Sequence, residues 1–243
     1  MTRAPDVADL IRARRDGRAP FLVGITGAVA AGKSTLAAEL AKALAADGLA
    51  VEIVATDGFL MNNAALTARG LLSRKGFPES YDVAAMRAAL AAIRTGPADF
   101  PGYSHILYDI DPALSRRLEP PGVLIVEGLS LQAGAAALGL DLMIYLDADE
   151  TDLEGWFTER FVGLWRAAEH DPASFYARFR HLSEPQVRAV AAQVWRGVNL
   201  PNLREHIAAG RETADVVVRK GADHAILGME ARQASTGIHR STQ

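Results

Sequence analysis

The sequence contains no cysteine, so neither disulfide bonds nor thiolate metal sites can hold its fold together. It also lacks an apolar run of the roughly 18 residues that a membrane-spanning helix needs, and residues 1–20 contain no apolar stretch typical of a signal peptide. The formal net charge is only −3, which provides no broadly basic surface for nucleic acid or lipid headgroups. We therefore expect a cytoplasmic protein that acts on a small molecule and binds neither nucleic acid nor membranes.

Length and composition favour one main domain. The 243 residues are 49% hydrophobic, which is enough to bury a sizeable core in a single α/β domain. We predict an N-terminal helical extension over residues 1–20, the main domain over residues 21–227 and a mobile C-terminal tail over residues 228–243. The extension holds five arginines, but three aspartates interrupt them, which favours a solvated helix over a targeting peptide.

The most specific motif is GAVAAGKS at residues 27–34, which fits the phosphate-binding pattern G-x-x-x-x-G-K-S. An apolar run at residues 21–25 precedes it and a helix-forming segment at residues 34–46 follows it, which is the required order of strand, loop and helix. In such loops backbone N–H groups and the lysine bind nucleotide phosphates, and the serine hydroxyl is a ligand of Mg²⁺. A glycine turn that binds no phosphate is the alternative. We predict an ATP site formed by Gly27, Ala28, Val29, Ala30, Ala31, Gly32, Lys33, Ser34 and Thr35.

Strands and helices alternate after this loop. Apolar runs predict strands at residues 50–55, 123–126, 142–146 and 214–219, and helical patterns predict helices at residues 83–93 and 151–168. Two further helices are predicted to begin at Asp171-Pro172 and at Ser183, the second ending near Gly197. This alternation specifies a mostly parallel sheet covered by helices on both faces, so the predicted fold is a three-layer αβα sandwich.

Three residues supply the groups that phosphoryl transfer to an alcohol requires besides the phosphate loop. Asp57 follows the second predicted strand, where α/β sheets bind ligands, and is the candidate base. Glu127 ends an apolar strand, the place of a magnesium-binding acid, and Arg160 can stabilise charge on the transferred group. The alternatives are a turn-forming aspartate, a helix-capping glutamate and a solvated arginine.

Tyr103, His105 and Tyr108 place three hydrogen-bonding side chains within six residues, which suits a polar acceptor substrate. Three basic residues after the second strand either contact a phosphate, form a lid or are solvated: Arg69, Arg74 and Lys75. The remaining histidines show no metal-ligand spacing, so no transition metal is assigned.

Longer strings resemble the bacterial type I pantothenate kinases. They are TDGFL (56–60), RGLLSRKGFPESYD (69–82), YSHILYDI (103–110), LIVEGL (124–129), FYARF (175–179) and NLPNLREHI (199–207). Uridine and phosphoribulose kinases are similar in the phosphate loop and in a turn like D-G-F. The resemblance therefore implies a P-loop kinase that converts pantothenate to 4′-phosphopantothenate with ATP and Mg²⁺ and that forms a homodimer.

The same resemblance implies individual roles. Lys33 and Ser34 would bind ATP phosphate and Mg²⁺, Asp57 would be the base for the pantothenate hydroxyl, and Arg160 would stabilise the transferring phosphoryl group. The implied pantothenate-binding residues are Tyr103, His105, Tyr108 and Asn202.

Several positions depart from the family pattern. Phe157 stands where the family has a tyrosine, and Leu164 and Glu169 stand where we expect phenylalanines facing the apolar part of pantothenate. Loss of a buried aromatic contact is worth about 1.5–3 kcal/mol, which can change the acceptor without altering the transfer machinery. Ala38 replaces a basic residue associated with coenzyme A inhibition, so we expect such inhibition to be weak.

Three hypotheses remain open at this point. The first is a pantothenate kinase. The second is a P-loop kinase of another small alcohol, such as a nucleoside or sugar, which the substituted acceptor positions motivate. The third is a nucleotide-binding regulatory protein without transfer activity, and the presence of Asp57, Glu127 and Arg160 together argues against it.

Overall fold

The computed structural model describes residues 4–131 and 134–232. Its strands are β1 (Phe21–Gly27), β2 (Val51–Ala55), β3 (Ala98–Phe100), β4 (Tyr103–Ser104), β5 (Asp109–Ile110), β6 (Arg116–Leu118), β7 (Val123–Glu127), β8 (Leu142–Asp147), β9 (Val216–Lys220) and β10 (Ile226–Ala231). Its helices are α1 (Ala4–Arg15), α2 (Lys33–Ala45), α3 (Asn63–Ala68), α4 (Val83–Ala92), α5 (Gly134–Leu138), α6 (Glu150–Ala167), α7 (Glu184–Val194), α8 (Leu200–Asn202) and α9 (Gly210–Thr213).

A six-stranded sheet with the order β10-β9-β8-β1-β7-β2 organises these elements. Strand β1 lies inside the sheet between its parallel neighbours β7 and β8, and β10 pairs antiparallel with β9 at one edge. All seven residues of β1 are buried, as expected for a parallel strand covered on both faces. The predicted mostly parallel sheet with flanking helices is confirmed, and the phosphate loop follows this central strand.

The N-terminal helix α1 belongs to the core of this fold. Val7, Ala8 and Ile11 are fully buried, and α1 packs against α2. Arg12 joins the two helices by donating from Nη2 to the carbonyl oxygen of Ala43 at 2.9 Å. The prediction of a solvated extension over residues 1–20 is therefore wrong for α1, because its apolar stripe has a partner surface on α2 that the local charge pattern does not reveal.

The C-terminal end of the described chain is also more ordered than predicted. Residues 226–231 form β10, whose ladder with β9 includes the pair Met229 and Val218. Residues 228–231 are thus part of the sheet rather than of the predicted tail, because pairing satisfies their backbone polar groups. The part of the tail prediction that covers residues 233–243 lies outside the described residues.

Two predicted helix ends differ from the structure. Ser183 forms the predicted capping box with Gln186, but the helix that it opens does not end at Gly197. Helical backbone continues through two π-helical turns, Trp195–Asn199 and Leu203–Ile207, because Gly197 is not in the left-handed conformation that ends helices and the buried face continues. Asp171 does not cap a helix; its carboxylate accepts from the Ala173 N–H in a turn.

A second, smaller hydrophobic cluster lies beside the sheet. It joins α6, the 3₁₀ turn Phe175–Phe179 and α7, and its buried members are Phe161, Val162, Ala168, Tyr176, Val187 and Ala191. We call it the helical cluster. It forms one wall of the cleft described next.

Candidate active site

The phosphate loop is built from the end of β1 and the start of α2. Gly27 and Gly32 have φ angles of +143° and +89°, and a side chain on Gly27 would collide with the carbonyl oxygen of Leu146. The Lys33 ammonium group donates to the carbonyl oxygens of Gly27 at 3.2 Å and Ala28 at 2.8 Å. Burial lowers the pKa of Lys33, and the charges of Glu127 and Asp57 oppose this effect.

Ser34 and Glu127 form an oxygen-rich pair beside this loop. The Ser34 hydroxyl donates to Oε1 of Glu127 at 2.8 Å, which joins the first turn of α2 to the end of β7. Burial raises the pKa of Glu127, whereas Lys33 and the hydrogen bond from Ser34 lower it. A hydroxyl and a carboxylate at this spacing fit a hard divalent cation such as Mg²⁺, because its preferred ligands are oxygens.

Asp57 lies on a short 3₁₀ turn, Thr56–Phe59, directly after β2. Because Ala55 pairs in parallel register with Glu127, Asp57 and Glu127 end up at the same edge of the sheet. Gly58 is pressed against the backbone of Pro101, where a side chain would collide with the carbonyl oxygen. The turn is thereby held in place.

Three of the four predicted acceptor-binding residues, Tyr103, His105 and Tyr108, lie together on the hairpin of β4 and β5. The ring centroid of Tyr103 is 5.2 Å from that of His105 and 6.3 Å from that of Tyr108, both edge to face. Burial raises the pKa of Tyr103, raises the pKa of Tyr108 to about 12 and lowers the pKa of His105. All three side chains are therefore uncharged at neutral pH and suited to hydrogen bonding.

Lys75 lies against this hairpin. Its ammonium group donates to Oδ1 of Asn63 at 2.7 Å and to the carbonyl oxygen of Tyr108 at 2.6 Å. It also lies 5.0 Å from the ring centroid of Tyr103 and 4.5 Å from that of Tyr108. Burial lowers its pKa to about 8 even though Asp109 and Asp57 oppose the shift.

Arg160 and Asn202 come from the helices. Arg160 lies on α6 and lines the cleft, and its guanidinium group forms no hydrogen bond or ion pair with any described residue. The Asn202 amide donates to the carbonyl oxygen of Gly76 at 2.8 Å, whereas its own buried oxygen has no partner. Nδ2 of the neighbouring Asn199 is likewise buried without a partner.

A single cleft of about 1620 Å³ brings these groups together. The predicted residues that line it are Val29, Ala30, Gly32, Lys33, Ser34, Thr35, Asp57, Tyr103, His105, Tyr108, Glu127, Arg160 and Asn202. Three backbone positions of the loop, Gly27, Ala28 and Ala31, lie next to the lining residues without contributing to the cleft surface.

Of the positions that depart from the family pattern, some line the cleft and others lie outside it. Phe157 and Leu164 line the cleft, and Phe157 packs on Trp195 with ring centroids 5.9 Å apart. Glu169 is exposed in the turn after α6, and Ala38 is exposed on α2; neither lines the cleft. Of the three substitutions expected to affect acceptor binding, the structure therefore places only Phe157 and Leu164 in the cleft.

The lining residues that were absent from the sequence-based assignment include Tyr81, Tyr176, Asn199 and Lys220. Tyr81 lies in the string RKGFPESYD, Tyr176 in FYARF and Asn199 in NLPNLREHI. The strings that carry the resemblance therefore contained a signal for all three. Lys220 ends β9 and donates to the carbonyl oxygen of Ala31 at 3.0 Å, a contact that only the sheet order creates.

Comparison with known proteins gives a consistent result. The Phosphoribulokinase / Uridine kinase family matches residues 22–156. A pantothenate kinase of Sorangium cellulosum is 44% identical over 238 residues, covering 93% of this chain and 77% of that protein. A pantothenate kinase of Xanthobacter autotrophicus is 39% identical over 236 residues, covering 91% and 73%.

Solved structures share the fold. A protein from Silicibacter described as a putative fructose transport system kinase superposes with a TM-score of 0.70 at 27% identity, covering 88% of this chain and 96% of that one. A D-glycerate 3-kinase from Cryptococcus neoformans superposes with a TM-score of 0.65 at 14% identity, covering 96% and 100%. Among the described helices, none combines the length and apolar character needed to cross a bilayer.

Proposed function

Since the chain belongs to the pantothenate kinases of the Phosphoribulokinase / Uridine kinase family, we propose that it transfers the γ-phosphoryl group of ATP to the hydroxyl of pantothenate. The product would be 4′-phosphopantothenate. The observation that carries this proposal is the single cleft in which the phosphate loop, Asp57 and Arg160 share one space with the tyrosine and histidine hairpin. Such an arrangement places a nucleotide and an alcohol side by side.

Asp57 would act as the base. It accepts the proton of the acceptor hydroxyl while the hydroxyl oxygen forms a bond to the γ-phosphorus and the bond to the β,γ-bridging oxygen breaks. Lys33 would hold the β- and γ-phosphates after exchanging its contacts with the Gly27 and Ala28 carbonyl oxygens for phosphate oxygens. Arg160, which has no ion pair among the described residues, is available for the charge of the transferred group.

Ser34 and Glu127 would hold Mg²⁺, and their existing hydrogen bond supports this assignment. When bound, the ion neutralises charge on the β- and γ-phosphates. Burial raises the pKa of Glu127, but the Lys33 charge and the Ser34 hydrogen bond oppose this shift and favour the charged carboxylate that a cation requires.

The acceptor would occupy the other end of the cleft. Tyr103, His105 and Tyr108 offer neutral hydrogen-bonding groups, and Asn202 offers a buried oxygen without a partner. Phe157 and Leu164 pack against the helical cluster and form an apolar wall together with its members Phe161 and Tyr176. A molecule with polar ends and an apolar middle, such as pantothenate, matches this distribution.

An acceptor panel tests the proposal. ATP consumption is measured with pantothenate, pantetheine, uridine, ribose, fructose and D-glycerate, and phosphorylated products are identified by mass spectrometry. Turnover with pantothenate well above that with the others is expected. Turnover with a different alcohol alone would reject pantothenate while retaining the kinase, and ATP binding without any turnover would favour the regulatory alternative.

A sugar kinase is the second candidate. Phe157 and Leu164 alter the apolar wall of the cleft, and the Silicibacter protein described as a putative fructose transport system kinase shares 27% identity with this chain. The higher identity of 39–44% to pantothenate kinases favours pantothenate. Fructose in the panel distinguishes the two.

Assembly as a homodimer is a proposal that rests on the family resemblance, and a cytoplasmic location is a proposal that rests on the composition of the sequence. Sedimentation equilibrium of the full chain measures the first, and fractionation of the cells that express it measures the second.

A further inference from the structure

Tyr81 is held firmly beside the turn that carries Asp57. Its side chain is only 6% exposed, and it forms an antiparallel bridge with Leu60, the residue after the turn. The bridge is extended by two backbone hydrogen bonds, from Asp82 to Phe59 at 2.8 Å and from Met61 to Ser80 at 2.9 Å. The phenol therefore has little freedom to move relative to Asp57.

The Tyr81 hydroxyl donates to Oδ1 of Asp57 at 3.3 Å. No other side-chain or backbone hydrogen bond to this carboxylate is formed by the described residues. Oδ1 is thus engaged from the protein side, whereas Oδ2 is left for an acceptor hydroxyl. Burial and the charge of Asp57 raise the pKa of Tyr81 well above its ordinary value, so the phenol remains protonated and always donates.

We propose that Tyr81 is a positioning residue for Asp57: its hydroxyl fixes the orientation of the carboxylate through Oδ1 and leaves Oδ2 to receive the proton of the acceptor. This inference rests on the proposed role of Asp57 as base. A donated hydrogen bond also favours the charged form of a carboxylate, which a base needs before it can accept a proton.

Several titratable groups face Asp57. Those whose titration is coupled electrostatically to Asp57 are Lys33, Lys75, His105, Glu127, Tyr103 and Tyr108. Removal of the Tyr81 hydroxyl leaves all of them in place. A change in the pH dependence of turnover after this removal therefore reports on the hydrogen bond to Oδ1.

Tyr81→Phe tests the inference, with kcat measured against pH at saturating ATP and acceptor. We expect kcat to fall about tenfold and the acidic limb of the profile to move up by about one pH unit, because a hydrogen bond to a charged group is lost. The KM for ATP is expected to stay unchanged. Tyr145→Phe, which removes a buried phenol hydroxyl on β8 away from the cleft lining, is the matched control. An unaltered kcat and profile in Tyr81→Phe would overturn the inference.

One further variant, Asp57→Asn, distinguishes failure of the base assignment from failure of the role proposed for Tyr81. If Asp57→Asn keeps its activity, the base assignment is wrong, and the role proposed for Tyr81 is then wrong as well. If Asp57→Asn is inactive while Tyr81→Phe resembles the parent enzyme, only the role of Tyr81 is wrong.

Should Tyr81→Phe fail to fold, fluorotyrosine at position 81 provides the measurement. Fluorination preserves the shape of the ring and makes the hydroxyl a stronger donor. The acidic limb is then expected to move down, and an unmoved limb would contradict the inference.

Discussion

Single residues in this protein take their chemical character from neighbours that are distant in sequence. Asp57 meets Tyr81, and Ser34 meets Glu127 across 93 positions of the chain. Lys33 and Lys75 are both buried, and burial lowers the pKa of each. The chemistry proposed for the cleft depends on these pairings, so it can be tested one side chain at a time.

Asp57→Ala is expected to lower kcat by about 10² to 10⁴, because a general base contributes about that factor. Affinity for a non-hydrolysable ATP analogue should change little, since Lys33 and the loop backbone carry phosphate binding. Steady-state kinetics and calorimetric titration measure the two quantities. Asp99→Ala, at an exposed position of β3, is the control. Turnover at the parental rate would show that Asp57 is not the base.

Deprotonation of Lys75 is expected to lower kcat/KM for the acceptor at alkaline pH. Its pKa is lowered to about 8, so the cation that bridges Asn63 and Tyr108 is lost as pH rises through that value. We predict that kcat/KM for the acceptor falls above about pH 8 and that Lys75→Met lowers it at neutral pH and removes this fall. Lys42→Met, at an exposed lysine of α2, should keep the parental profile.

The contribution of Lys75 to the free energy of unfolding should rise with pH, whereas kcat/KM for the acceptor should fall. Because the folded pKa of about 8 lies below the ordinary value of 10.5, the unfolded chain binds more protons between these pH values. The contribution of this group to the free energy of unfolding therefore rises with pH across that window. Urea denaturation of the parent and of Lys75→Met at several pH values measures this contribution as the difference between their free energies of unfolding. A difference that falls as pH rises across this window would contradict the lowered pKa of Lys75.

The first helix and the last strand of the described chain are both packed parts of the domain. Helix α1 buries one face on α2, and β10 extends the sheet beyond β9. The helical cluster, joined by α6, the turn Phe175–Phe179 and α7, supplies a wall of the cleft. Elements at both ends of the described chain therefore complete the domain.

Ile11→Ala tests whether α1 is part of the core. Ile11 is fully buried, so the substitution is expected to lower the free energy of unfolding by about 2–5 kcal/mol. Catalytic constants should stay unchanged below the melting transition, because α1 does not line the cleft. Chemical denaturation provides the measurement. Ala13→Ser, at an exposed position of the same helix, should change stability by less than about 0.5 kcal/mol.

The whole molecule presents one continuous cleft of about 1620 Å³ between the sheet edge and the helical cluster. A nucleotide at the phosphate loop and an acceptor at the hairpin of β4 and β5 would both contact it. Binding at either end should therefore stabilise the fold, and the two ligands should bind together rather than compete.

Ligand-dependent stability tests this arrangement. A non-hydrolysable ATP analogue at about 100 times its Kd is expected to raise the free energy of unfolding by about 2.7 kcal/mol, and added pantothenate should raise it further. Denaturation with each ligand and with both measures the effect. In Lys33→Ala, the response to the analogue should be weakened while the response to pantothenate is retained. Loss of one response on addition of the other ligand would indicate overlapping sites.

Local sequence patterns were sufficient to predict much of the fold. The phosphate loop, the apolar strands and the Ser183 capping box depend on residues within a few positions of one another, and the structure contains all three. Asp57 and Glu127 could be placed at one sheet edge because parallel strands deliver their carboxyl ends to the same side.

The sequence by itself therefore determined the α/β class, the nucleotide loop and the candidate catalytic groups, because spacing and hydrophobic period are local properties. Only the tertiary structure decided that α1 is buried, that β10 joins the sheet and that Tyr81 and Lys75 meet the cleft. Those outcomes depend on which distant surfaces come into contact. Burial and pKa shifts arise from such contacts, and no short stretch of sequence contains them.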